Sequence, residues 1–180
     1  MILYGLLLGV VIGALVGGRL MRLADLQLSW GWVGLAAIGF QLLLFSSPLG
    51  SAMGWLAPFA YVASTAVVLL PVLANIRRPG MPLVATGALS NLAAVVANGG
   101  YMPATRAALE LADRGHEVGY SNSALVAHPA LGPLTDVFAV PAGVPLANVF
   151  SVGDVLVAVG LAVVVAASMR SSSHLPPAPG

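Results

Sequence analysis

Along this chain, apolar runs alternate with short polar breaks until one long polar region interrupts them. The runs cover residues 2–18, 30–45, 55–74, 81–97 and 151–169. Asp154, near the start of the last run, is the one Asp, Glu, Lys or Arg within them. A helix of about 20 apolar residues crosses a bilayer, so the pattern predicts five transmembrane helices. Arg19–Leu28 reads as a short interfacial connection, and Ser46–Gly54, with Pro48, as an uncharged turn. Pro71 should kink or end the third helix, and Asn75-Ile-Arg-Arg-Pro-Gly80 reads as a tight basic turn. Trp30, Trp32 and Trp55 stand where belt aromatics meet headgroups. Gln41, within the second run, should face another helix. Gly5, Gly9, Gly13 and Gly17 share one helix face, which suits either a homodimer or close packing within the chain.

The polar region, 98–150, reads as a structured loop on one side of the membrane. Pro103–Arg114 predicts an amphipathic helix, with Pro103 at its first position, Gly115 as its cap and Arg106–Glu110 as an ion pair one turn apart. Residues 121–144 show no clean period. Pro129, Pro133, Pro141 and Pro145 break up this part of the chain, which should be extended or re-entrant backbone at the membrane surface. Residues 171–180 read as a disordered cytoplasmic tail. The expected fold is therefore an all-α polytopic membrane protein: a single domain over 1–170, with five transmembrane helices and a structured extracytoplasmic loop.

Composition supports this class. The 180 residues are 59% hydrophobic and 7% charged, against about a quarter charged in an ordinary globular domain. A net charge of +1 offers no field for nucleic acid. Cysteine is absent, which excludes disulfides, thiolate metal sites, a cysteine nucleophile and lipidation through cysteine. His116, His128 and His174 form no ligand pair, so neither a metal nor a cofactor is expected. The first run lacks a basic segment before it and a cleavage site after it, and reads as a retained span. Arg19 and Arg22, Arg77 and Arg78, and Arg170 follow the first, third and fifth runs. The positive-inside rule then places the C-terminus in the cytoplasm, and the N-terminus and the 98–150 loop outside, in a multi-pass protein of the cell membrane.

Candidate chemistry centres on Asp136 and Asp154, eighteen residues apart and, on this topology, on the same side. Two carboxylates held together cannot both ionise easily, so one can act as base toward water and the other as acid. That is aspartic-peptidase chemistry, with no metal and no covalent intermediate. Leu134-Thr-Asp136-Val-Phe138, followed by Phe150-Ser-Val-Gly-Asp154 and an apolar helix, resembles lipoprotein signal peptidase (signal peptidase II), with its V-x-D-F-like and F-N-x-A-D motifs. Thr86-Gly-Ala-Leu-Ser-Asn-Leu92 is similar to that family's G-G-A-L-G-N-L segment. The resemblance implies Asp136 and Asp154 as the dyad, Asn91 as support, and a membrane-anchored peptide or lipoprotein as substrate. Ser151 stands where the family has asparagine, and Asn148 lies three residues earlier. The segments Asn98-Gly-Gly-Tyr-Met-Pro103 and Asn148-Val-Phe-Ser-Val-Gly-Asp154 also resemble a family of uncharacterised bacterial membrane proteins.

Each residue has a plainer reading. Ser151-Val-Gly-Asp154 has the form of a capping box. Asp136 after Pro133 suits a turn, Asn98-Gly-Gly suits a helix stop, and Asn91 suits a polar bond between helices. His116 and His128 suit a solvated loop. The residues leave three functions open: an intramembrane aspartyl hydrolase at the outer face; a non-catalytic membrane protein that binds a lipid, a peptide or a partner subunit through its outer loop; or a small transporter. The transporter fits worst, because no charge lies near mid-membrane and no inverted repeat is visible.

Overall fold

The structure is a computed structural model and describes residues 1–113, 123–126 and 128–170. Arg114, Gly115, His116, His174 and the 171–180 tail lie outside the described residues, and with them the expected tail and cap. The main helices fall where the apolar runs predict: α1 (Ile2–Leu15), α2 (Gly31–Ser46), α3 (Leu49–Met53), α4 (Ala57–Ala74) and α5 (Met81–Ala97). Within the polar region come β1 (Met102–Ala104), α6 (Arg106–Leu111), β2 (Ser123–Leu125), β3 (Phe138–Val140) and β4 (Asn148–Phe150), before α7 (Val152–Arg170) closes the described chain.

Two stretches are long and apolar enough to cross a membrane, Leu49–Ala74 and Val152–Arg170. Helices α1, α2 and α5 are as apolar as expected, but they are shorter. Five complete spans are therefore not carried by helix length. Gly17 turns left-handed (φ +79°) and ends α1 at Leu15. Trp30 (φ 59°) and Gly80 (φ 87°) stand at the N-caps of α2 and α5, which are as long as the short runs that form them. Pro71 does not break α4, which runs three residues further and stops at Asn75.

The helices pack as a row, α1–α7–α5–α4–α2. α7 sits between two neighbours because both can approach it closely. A Cβ added at Gly5 would lie 2.3 Å from the Ala158 carbonyl oxygen, and one at Gly9 would lie 2.7 Å from that of Ala162. The matching order of these contacts makes α1 parallel to α7. The contact of Gly87 with Gly153, and of Gly80 with Gly160, makes α5 antiparallel to α7. Three of the four glycines in the α1 face are thus covered by α7 of the same chain, and Gly17 is a turn residue with open space beside it. α2 and α4 are laced through Gln41, whose amide donates to Ser64 Oγ and Thr65 Oγ1, both at 3.1 Å. That is the inter-helix role expected for a polar side chain in an apolar run.

An all-α chain was expected, yet the polar region holds two small sheets. β1 pairs with β2 in parallel, Met102 opposite Ser123, and β3 pairs with β4 antiparallel, Phe138 opposite Phe150. The prolines keep the region from forming long helices, and the extended backbone between them must find partners for its N–H and C=O groups. The rings of Phe138 and Phe150 stack 5.5 Å apart across the second ladder. The amphipathic helix is also shorter than expected. Pro103 belongs to β1, and Thr105 is the N-cap of α6, accepting from Ala108 N–H at 3.3 Å. No ion pair joins Arg106 to Glu110 among the described residues. Ala104, Ala108, Ala112 and Val149 form a small core of their own, so the region is a folded cap on one end of the helix row.

Candidate functional site

The site grows from the first turn of α7. Ser151 is fully buried and is the N-cap: its Oγ accepts the Asp154 N–H at 3.0 Å, and Asp154 Oδ2 accepts the Ser151 N–H at 3.0 Å. This is the reciprocal capping box that the spacing suggests, satisfying two backbone donors that the helix leaves open. Asn91, on the facing side of α5, closes the network. Its Nδ2 donates to Asp154 Oδ1 at 2.9 Å, and its Oδ1 accepts the Ser151 hydroxyl at 2.8 Å. Ser151 Oγ also lies 3.1 Å from Asp154 Oδ2. A hydroxyl has one proton, and giving it to the shorter contact with Asn91 leaves Ser151, Asp154 and Asn91 with complementary partners. Helix α5 can bring Asn91 so near because Gly153 has no side chain: a Cβ there would lie 2.0 Å from Asn91 Oδ1.

Asp136 arrives from the other direction. It follows a 3-10 turn, Gly132–Leu134, which Thr135 closes by donating to the Gly132 carbonyl. Its N–H donates to Pro103 O at 2.9 Å and its carbonyl accepts from Thr105 N–H at 3.1 Å, so it bridges the free side of β1 beside Ala104. It is 4% exposed. It is more than a surface turn residue, because strand pairing holds its backbone and the surrounding fold buries it.

Asp136 and Asp154 line the same cavity, of about 350 Å³. Asn91 and Asn148 also line it, as does Tyr61 of α4, and Ile2, Leu3, Met102, Leu146, Val149 and Phe150 give it an apolar wall. Met1 lines it as well, and no lining side chain is Lys, Arg or His. Tyr4 anchors α1 beside it by donating its hydroxyl to the Pro145 carbonyl. Of the residues singled out from sequence, Asp136, Asp154, Asn91 and Asn148 meet here, with Ser151 one bond behind them. Asn98 does other work. Its side chain bonds both the N–H and the C=O of Ala130, each at 2.9 Å, and its amide also donates to the Ala94 carbonyl. It ends α5 and pins the polar loop to it. His128 is exposed, as a solvated loop residue should be.

Sequence reasoning missed Tyr61 and Met102 as lining residues. A phenol in an apolar run was the available signal for Tyr61. It also missed Asn75, 4% exposed, which does at the opposite end what Asn98 does here. Asn75 Nδ2 donates to the carbonyls of Ser29 (2.9 Å) and Pro71 (2.7 Å), and its Oδ1 accepts the Ser29 N–H. Among the described residues no group of three or more His, Cys, Asp or Glu is placed to hold a metal.

Comparison with known proteins gives one family. The model of a family of unknown function, DUF5317, matches residues 25–166, and the chain belongs to that family. No curated protein and no solved structure matches it.

Proposed function

We propose that this member of a family without an assigned activity is a membrane-embedded binding protein. Its cavity at the start of α7 takes the cationic group of a lipid or peptide at the outer membrane-water boundary. One observation carries the reading: two carboxylates from separate elements line one cavity with an apolar wall and no Lys, Arg or His side chain, Met1 being a further lining residue. An ammonium would accept the field of both carboxylates, and the hydrocarbon next to it would meet Ile2, Met102 and Phe150. Asp154 already accepts from Asn91 and Ser151, which holds its carboxylate in one orientation.

The membrane setting belongs to the same proposal. The helices carry exposed Leu7, Leu35, Leu42, Phe59 and Trp55, a surface suited to hydrocarbon. Their directions alternate along the chain, which supports five spans with the N-terminus and the folded cap on one side and the C-terminus on the other; the arginines gathered at the second side support its assignment as the cytoplasmic one. The test uses hexylammonium as probe, with hexanol and hexanoate as controls, on purified protein in neutral detergent. Hexylammonium should raise the unfolding temperature of the wild type and hexanol should not. Equal effects of the two would remove the reading.

A second reading keeps the resemblance to lipoprotein signal peptidase: an aspartyl hydrolase in which Asp136 and Asp154 share a proton and activate water. It is favoured by the same shared cavity. It requires the two carboxyl groups to lie within one water of each other. Cleavage of a lipid-linked peptide, abolished by either Asp136→Asn or Asp154→Asn in folded protein, would establish it. A carboxyl separation above about 10 Å, a Debye length at ordinary salt, would remove it.

A further inference from the structure

All seven basic residues of the chain are arginine, and five of them, Arg19, Arg22, Arg77, Arg78 and Arg170, fall in three separate segments. The fold gathers these segments at one end of the helix row, opposite the folded cap. The Arg19 N–H donates to the Met169 carbonyl at 2.9 Å, and Arg22 Nη1 donates to the Arg170 carbonyl at 2.9 Å. A cation there meets the open carbonyls and negative end of α7. Arg78 donates to the Gln27 carbonyl, and Asn75 clamps Ser29, which ties the 75–80 turn to the same segment. Asp25 is the one acidic residue in these three segments.

Two of the arginines therefore build the end and three do not. Arg22 and Arg78 bond backbone carbonyls. Arg19, Arg77 and Arg170 are exposed, and their guanidinium groups have no hydrogen bond or ion pair among the described residues. Beside them the chain presents apolar side chains outward: Leu15 is 81% exposed and Met21 82%, with Val16 and Leu20 also exposed. Guanidinium forks match a phosphodiester in two-point geometry. Exposed apolar side chains next to them match acyl chains, which a free phosphate does not have.

We propose that this arginine end is a binding site for anionic phospholipid, with Arg19, Arg77 and Arg170 holding the headgroup phosphate and Leu15, Leu20 and Met21 lying along the acyl chains. The inference rests on the reading that the helices span a bilayer, and its test separates the two. Protein is first floated with vesicles of pure phosphatidylcholine. It is then held in micelles containing equal phosphatidylglycerol and phosphatidylcholine, and the retained lipid is read by native mass spectrometry. An arginine near an anionic surface contributes about fivefold in affinity at low salt. The wild type should retain phosphatidylglycerol over phosphatidylcholine by tenfold or more. A triple Arg19→Gln, Arg77→Gln, Arg170→Gln variant should retain the two within about twofold of each other. Its unfolding temperature in neutral detergent should match the wild type, because the three side chains are exposed. A wild type with no preference, a triple variant that keeps it, or displacement of the lipid by millimolar inorganic phosphate would each overturn the assignment. Failure to float with any vesicle would instead remove the spanning reading.

Discussion

Ser151 closes both halves of the network at the start of α7, so its loss should be felt twice. In Ser151→Ala the Asp154 N–H loses its cap acceptor and Asn91 Oδ1 loses its donor. Removing an N-cap hydroxyl costs about 1 kcal/mol. Leaving a partly buried amide oxygen without a donor costs about 1–3 kcal/mol more. Ser151 itself is fully buried, so water reaches the vacated position only past Asn91 and Asp154 on the cavity wall. The expected destabilisation is therefore about 2–4 kcal/mol. Equilibrium unfolding in mixed micelles, followed by the fluorescence of Trp30, Trp32 and Trp55, would measure it. The same assay on Asn91→Ala, Asp154→Ala and the double variant should give a coupling of about 1 kcal/mol or more, since their bond is charge-assisted. A Ser151→Ala variant within about 0.5 kcal/mol of wild type, or additive Asn91 and Asp154 effects, would refute the network as a structural unit.

The close contact of α1 with α7 makes Gly9 intolerant. Gly9→Leu should cost about 2–4 kcal/mol or block folding, since even a Cβ meets Ala162 and Val165 below 3 Å. Gly39, in α2 with nothing within 4 Å of its Cβ position, is the control: Gly39→Ala should stabilise by about 0.5–1 kcal/mol in the same unfolding assay. Asn75→Ala should cost about 2–3 kcal/mol by releasing the part-buried Ser29 bond and the buried Pro71 bond, and protease cleavage between Arg19 and Ser29 should quicken.

How much of this was legible from the chain depended on whether the signal was local. Apolar runs set the helices to within a few residues, because burial or lipid contact acts on each run independently of the others. The capping box was legible because serine and aspartate three positions apart satisfy each other within one turn. The choice between a dimer face and an internal one for Gly5, Gly9 and Gly13 was not, because it depended on where Ala158 and Ala162 came to lie. Asn91 read both as site support and as a bond between helices; the bond between α5 and α7 is there, and the side chain also lines the cavity. The strands were missed because their partners are distant in sequence. Met102 meets Ser123, and Asp136 meets the far edge of β1, neither of which any short-range period records. Pro103 misled for the same reason: its fixed φ suits a helix start and a strand equally, and the pairing of β1 decided between them.

The cation site is tested most directly by the affinity of hexylammonium for the cavity in wild type and in Asp136→Asn, measured by calorimetry at low and high salt. The substitution keeps the backbone bonds that place residue 136 and removes one carboxylate from the wall. A bond between charged partners contributes about 1.5–3 kcal/mol, so binding should weaken about tenfold or more in Asp136→Asn, and wild-type binding should weaken less than this on raising salt, because the group is buried. Equal affinity in the two proteins, or no saturable binding to either, would contradict the claim that these carboxylates form a cation site.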